Sequence, residues 1–160
     1  MVVWPGSKTA AYVKTPPEIK INPNGVDVGV SEVWRIDDGT QSTMHGKIRE
    51  TDVPKVQVIP DGEFFVLRRG VYEIRLSNEV SIPQNAMALI FPRSTLNRLG
   101  VIVSTTGVVD SGYSGFATQT LIVPIQTIRI HRNEKWFQLV FMDAEASGTY
   151  AGHWQNEKPA

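Results

Sequence analysis

Cysteine is absent from the chain. That excludes disulfides, thiolate nucleophiles and thiolate-bound zinc, and it suits a reducing compartment. An excess of either charge is also absent. Lys+Arg and Asp+Glu stand at 16 each. No overall field therefore draws the chain to nucleic acid or to an anionic membrane, and any phosphate binding must be local. Long apolar runs are missing too. Stretches such as Ala86 to Phe91 fall far short of the ~20 residues that span a bilayer. The first residues, MVVWPGSKTAAY, lack the apolar core of a signal peptide. These absences predict a soluble, cytoplasmic protein with neither nucleic acid nor membrane as partner. Histidine is scarce, and His45, His131 and His153 show no HxxxH or HxH spacing. His131 shares the polar side of an apparent strand with Arg129, a solvated face rather than a metal site. No GxSxG, Walker A or GxGxxG pattern occurs.

What is present reads as a single domain over residues 1–160. The pattern is all-β. Glu18–Asn22, Val26–Val30 and Val71–Leu76 alternate with period two, and further short strands are predicted at Val33–Ile36, Val56–Ile59, Phe65–Leu67, Val80–Pro83 and Ala86–Phe91. Phe116–Val123, Ile125–Ile130 and Trp136–Phe141 complete the set. Turn signals recur at about the 8–12-residue spacing of a sandwich or barrel. Residues 1–15 read as irregular, with Pro16-Pro17 against helix. Residues 37–42 read as a loop. Only Ser94 to Leu99 suggests helix, capped by Ser94 and ended by Gly100 in the left-handed conformation. Composition predicts a mobile tail over residues 144–160.

The stretch PRSTLNRLGVIVSTTGVVDSGYSG, Pro92 to Gly115, carries the candidate chemistry. Its first half is a basic, hydroxyl-bearing turn. Arg93 and Ser94 sit where a short helix begins, and free N–H groups with an arginine fork suit phosphate. An ordinary surface cap fits the same residues. Val101-Ile102-Val103 reads as a short buried strand between the halves. The second half places Asp110 among glycines. It is either a general base acting on water or an Asx turn satisfying its own backbone. Tyr113, between two glycines, either stacks on a sugar or base or sits in the core.

PRSTLNRLG followed by GVVDSGYSG resembles the paired motifs of the trimeric dUTP pyrophosphatase and dCTP deaminase superfamily. Asn22-Pro23-Asn24-Gly25-Val26-Asp27-Val28 resembles its early motif. Trp136-Phe137-Gln138-Leu139-Val140-Phe141 resembles its late strand motif. Tyr150-Ala151-Gly152-His153-Trp154-Gln155 resembles the deaminase-type tail. The resemblance spans Glu18 to Gln155 with its motifs in order. It implies a distorted β-barrel or jelly roll assembling as a homotrimer, with active sites between subunits. Arg93, Ser94, Thr95, Asn97 and Arg98 would bind the triphosphate. Asp110 would orient the attacking water. Tyr113 would pack against the deoxyribose and exclude a 2′-hydroxyl. Gln138 and Gln155 would hold phosphate oxygens. Thr118, Gln119 and Thr120 would line the substrate, and Tyr150 or Trp154 could meet the base. Magnesium would be held mainly by the triphosphate, with no protein metal site.

The two branches of that superfamily differ in chemistry. The deaminase uses a glutamate on the strand after the second glycine turn, and that position is Thr120 here. Threonine cannot shuttle protons near neutral pH. Asp110, which hydrolysis needs, is present. The resemblance therefore implies a magnesium-dependent dUTP diphosphatase that makes dUMP and keeps uracil out of DNA. The alternatives are a dCTP deaminase, a bifunctional enzyme, or a non-catalytic nucleotide-binding relative.

Overall fold

Period-two alternation becomes two main antiparallel sheets, with three two-stranded ladders beside them among the described residues. In the strand Gly70–Leu76, Tyr72, Ile74 and Leu76 point inward, while Val71, Glu73 and Arg75 point outward. Thr118–Val123 repeats the pattern, with Gln119, Leu121 and Val123 inside. The computed structural model describes residues 2–37, 42–45, 48–50, 54–104 and 107–160. A five-stranded sheet runs in the order Ile102–Val103, Thr118–Val123, Gly70–Leu76, Val30–Ile36, Lys55–Gln57. A four-stranded sheet runs Lys20–Asn22, Gly25–Val28, Phe137–Asp143, Ala86–Pro92. The inward residues of both sheets form one apolar cluster, which includes Val26, Ile90, Leu139 and Phe141 from the smaller sheet and Val33, Tyr72, Ile74 and Leu121 from the larger. Burying each large side chain there contributes on the order of 2 kcal/mol. The architecture is the jelly roll, and no sheet among the described residues closes into a barrel. No described helix is long and apolar enough to cross a membrane.

The N-terminal segment differs from its irregular reading. Gly6–Thr9 forms a helical turn, continued by a 3-10 turn at Ala10–Tyr12. Packing makes this helix rather than periodicity. A Cβ on Gly6 would collide with the carbonyl oxygens of Asn22 and Gly25, so the helix lies directly against the sheet edge. Trp4 is buried. Its main-chain N–H donates to Phe141 O at 2.8 Å and its Nε1 to Asp143 Oδ1 at 2.6 Å. The N-terminal segment thereby packs along Phe137–Asp143, the last strand of the smaller sheet.

Two other expectations shift. The buried strand read at Val101–Val103 is an edge strand, Ile102–Val103, with Val101 buried and Ile102 exposed. A run of apolar residues does not distinguish an edge strand from a central one. The strand read from Ile125 begins at Ile128 and leaves Ile125 exposed. Thr43–His45 pairs with Ile48–Glu50 where the sequence has no pattern. Of the loop read at 37–42, residues 38–41 lie outside the described residues, as do 105 and 106 of the central stretch.

Candidate active site

The strand Ala86–Pro92 carries half of the candidate site at each end. At its C-terminal end the Arg93 N–H donates to Trp136 O at 2.9 Å, and the helix Ser94–Arg98 follows. Arg93, not Ser94, holds the cap position, in an extended conformation, and no side chain caps the helix. Ser94 is the first helical residue. Leu96 is buried and anchors the helix, leaving Ser94, Thr95, Asn97 and Arg98 exposed along one short turn. Gly100 ends it at φ +77, as its position predicts.

Arg93 itself is occupied. Its Nε lies 2.8 Å from Asp27 Oδ2, its Nη1 donates to Lys135 O at 2.9 Å, and Glu134 Oε2 is 3.9 Å away. Asp27 is only 3% exposed, so Arg93 neutralises a buried carboxylate. Removing either partner alone would cost about 3–5 kcal/mol. Gln138 sits opposite both Asp27 and Phe91 in the ladder and lies against Gly25. Arg93, the exposed helix residues and Gln138 therefore form one group.

Asp110 lies at the other end. Val109 bridges Ala88, and Ser111 Oγ donates to Ala86 O at 2.5 Å. The next residue, Gly112, bends back at φ +86, and its N–H donates to Ile82 O at 2.9 Å. A Cβ there would strike the Thr149 methyl group. The turn is thus pinned on both sides of Asp110. Asp110 itself is exposed and lines a cleft of about 440 Å³ with Met87, Val108, Ser111 and residues from Ala144 to Tyr150.

The tail seats on this second turn. Tyr150 N–H donates to Ser111 O at 2.8 Å. Gln155 uses both ends of its amide: Nε2 donates to Gly112 O at 2.9 Å, and Oε1 accepts from Ser114 N–H at 2.8 Å. Gln155, read as a phosphate ligand, here holds the backbone of the glycine turn. Tyr113 is 5% exposed, its ring edge-on to Tyr150 at 5.7 Å. Its hydroxyl donates to Glu157 Oε1 at 2.6 Å. Burial first, then the hydrogen bond and charge of Glu157, push its ionisation far above the ordinary tyrosine value. Thr118 and Thr120 face outward, whereas Gln119 between them is buried on the inward face. Trp154 is exposed and edge-on to His153.

Asp110, Tyr113, Tyr150 and Gln155 therefore gather in one place, and Arg93, Ser94, Thr95, Asn97, Arg98 and Gln138 in another. The strand between them sets the distance. Asp110 is level with Met87, six residues from Arg93, which corresponds to roughly 20 Å at strand rise. Within one chain the two groups do not meet. Asp27 and Glu157 are the partners that motif reading missed. A carboxylate among the alternating valines of Val26–Val28 was the signal for Asp27. Glu157 had none.

Residues 7–144 match the model of a family described as dCTP deaminase-like. The chain is 32% identical over 143 residues to a Methanosarcina barkeri protein named probable deoxyuridine 5′-triphosphate nucleotidohydrolase, covering 88% of this chain and 83% of that one. A Halobacterium salinarum protein of the same name is 27% identical, over 96% and 93% of the two chains. Among solved structures, the 2′-deoxycytidine 5′-triphosphate deaminase from Agrobacterium tumefaciens is similar at TM-score 0.66 and 18% identity, which shows a shared fold. That likeness covers 87% of this chain and 46% of the deaminase, so this chain spans about half of the deaminase's length. With a family model covering most of its residues and relatives aligned nearly end to end, the chain belongs to the dCTP deaminase-like family.

Proposed function

We propose that the protein hydrolyses dUTP to dUMP and pyrophosphate, as a homotrimer whose active sites lie between subunits. The observation that carries this reading is Asp110: an exposed carboxylate in a pinned turn, lining a cleft, with no carboxylate at Thr120. The residue opposite Thr120 in the ladder is Glu73, and Lys55 Nζ holds its carboxylate at 2.9 Å. That pairing gives no support to a deaminase base at this point. The names of the relatives support the hydrolase reading.

In the proposed reaction a water oriented by Asp110 adds to the α-phosphorus. The carboxylate takes its proton, the bond to the bridging oxygen breaks, and pyrophosphate leaves. Ser94, Thr95, Asn97 and Arg98 of a neighbouring chain, with Gln138, hold the triphosphate. Arg93 contributes its charge while tied to Asp27. Tyr113 packs beneath the deoxyribose. Magnesium is the proposed cofactor. Magnesium takes oxygen ligands and keeps several of its waters, so the triphosphate oxygens would hold it. When bound, the ion would neutralise charge on the triphosphate. Such an enzyme would work in the cytoplasm, where deoxynucleotides are made.

Products decide the reaction type. Incubated with magnesium and each deoxynucleoside triphosphate, the protein is expected to convert dUTP to dUMP and pyrophosphate and to release no ammonia from dCTP. Ammonia at a comparable rate would reassign it as a deaminase or a bifunctional enzyme. Binding without any product would make it a non-catalytic relative.

The sugar is a separate matter. Tyr113→Ala is expected to open space beside C2′ and admit UTP. Discrimination is a difference between two substrates, so the quantity is the dUTP/UTP ratio of kcat/KM, which should fall by roughly 10-fold or more. An unchanged ratio would make Tyr113 a core residue only.

A further inference from the structure

We infer that Glu157, near the end of the chain, is a positioning residue for sugar discrimination, because it fixes the ring of Tyr113. The inference rests on the proposed dUTP site. Tyr113 is held at three points. Its main-chain N–H donates to Asp110 O at 3.1 Å, its carbonyl accepts from Ile82 N–H at 2.8 Å, and its hydroxyl donates to Glu157 Oε1 at 2.6 Å. The first two fix the backbone. Only the third fixes the far end of the ring, the lever on which any shift toward or away from the sugar acts.

Glu157 is equipped for that task. Its main-chain carbonyl accepts from Phe116 N–H at 3.0 Å, which seats the residue without any help from its side chain. The carboxylate is nonetheless mostly buried, and burying an acid is costly unless it is paired. Its second oxygen lies 3.4 Å from Arg75 Nη1. Arg75 is anchored in turn by Phe116 O at 2.7 Å and by Glu32 Oε2 at 3.5 Å. Gly115 completes the arrangement. A Cβ there would come within 2.9 Å of the Tyr113 hydroxyl oxygen and 3.1 Å of Glu157 Cγ, so the glycine leaves the space in which phenol and carboxylate meet. Arg75 sets Glu157, and Glu157 sets Tyr113. A tail that merely covered the site would not need this chain of contacts.

The test compares Glu157→Ala, Tyr113→Phe, the double variant and Glu157→Gln, with Tyr113→Ala as control. Each is assayed with dUTP and UTP. Glu157→Ala and Tyr113→Phe are each expected to lower the dUTP/UTP ratio of kcat/KM roughly tenfold, and the double variant no further than either single one. Glu157→Gln keeps an acceptor for the phenol and should stay within about threefold of wild type. An alkaline absorbance titration gives a readout that needs no substrate. Glu157→Ala should bring the ionisation of one tyrosine down toward the others. A tail that only covers the site would lower kcat/KM for both substrates together in Glu157→Ala and leave the ratio unchanged, which overturns the inference. If Tyr113→Ala also leaves the ratio unchanged, the sugar-packing role itself fails and takes the inference with it. A changed ratio in Tyr113→Ala alone removes only the role of Glu157.

Discussion

Replacing Asp110 by asparagine is expected to lower kcat for dUTP by roughly 10²-fold or more, with KM held within a few-fold. Asparagine keeps the size and a hydrogen bond for orienting water, but it cannot take a proton. The structure makes this a clean substitution. Asp110 is exposed, and the turn around it is held by Ser111, Gly112 and main-chain bonds rather than by its carboxylate. Thermal stability should therefore change little, since surface substitutions of this kind usually stay within about 0.5 kcal/mol. The checks are steady-state kinetics and a melting curve on the same preparation. Turnover near wild type in a fully folded Asp110→Asn protein would show that the water is activated by another group.

Two inactive proteins are expected to regain activity when refolded together. Asp110→Asn disables one group of site residues. The other must be disabled without unfolding the chain, and Arg93→Ala is a poor choice because it strands the buried Asp27. Ser94→Glu is better. Ser94 is exposed at the first helical position, where a negative charge suits the helix and repels a triphosphate. In the proposed trimer each site takes Asp110 from one chain and Ser94 from its neighbour. After random mixing in equal amounts, about a quarter of the sites pair two intact groups, because the closed ring repeats one interface. Activity should return to about that fraction of wild type. If mass measurement confirms exchange and activity stays at background, each site is built within one chain, and the separation along Ala86–Pro92 must be bridged in another way.

What the sequence makes legible follows from range. Alternation is local, so strands such as Gly70–Leu76 and Ala86–Pro92 lie within a residue or two of their reading. Gly100 is a local signal, and its positive φ matches its place after the short helix. The resemblance groups Gln119 with Thr118 and Thr120 as lining the substrate, whereas period two puts it on the opposite, buried face. The helix Gly6–Thr9 was not legible, because four residues carry no periodicity and packing on the sheet makes it. The Asp27–Arg93 pair joins residues far apart in the chain, so motif reading left them in two separate motifs and missed the pairing. The tail shows the same limit. Its polar composition gives no hint that Gln155 and Glu157 find partners on the glycine turn.

Pairing of the N-terminal segment and first strands with the last strand sets a timetable for folding on the ribosome. Gly25–Val28 pairs on one side with Lys20–Asn22, made just before it, and on the other with Phe137–Asp143. At about 5–20 residues per second, that second partner leaves the ribosome roughly ten seconds after the first strand does. Trp4 waits as long for Phe141 and Asp143. Until then Val26 and Val28 present apolar surface and an unpaired edge, the surfaces most prone to wrong association. The five-stranded sheet can assemble earlier, because all its strands precede Pro124. The nascent chain is therefore expected to hold a half-built sandwich for seconds. A strand order dominated by distant partners also places refolding of the free protein in the millisecond-to-second range.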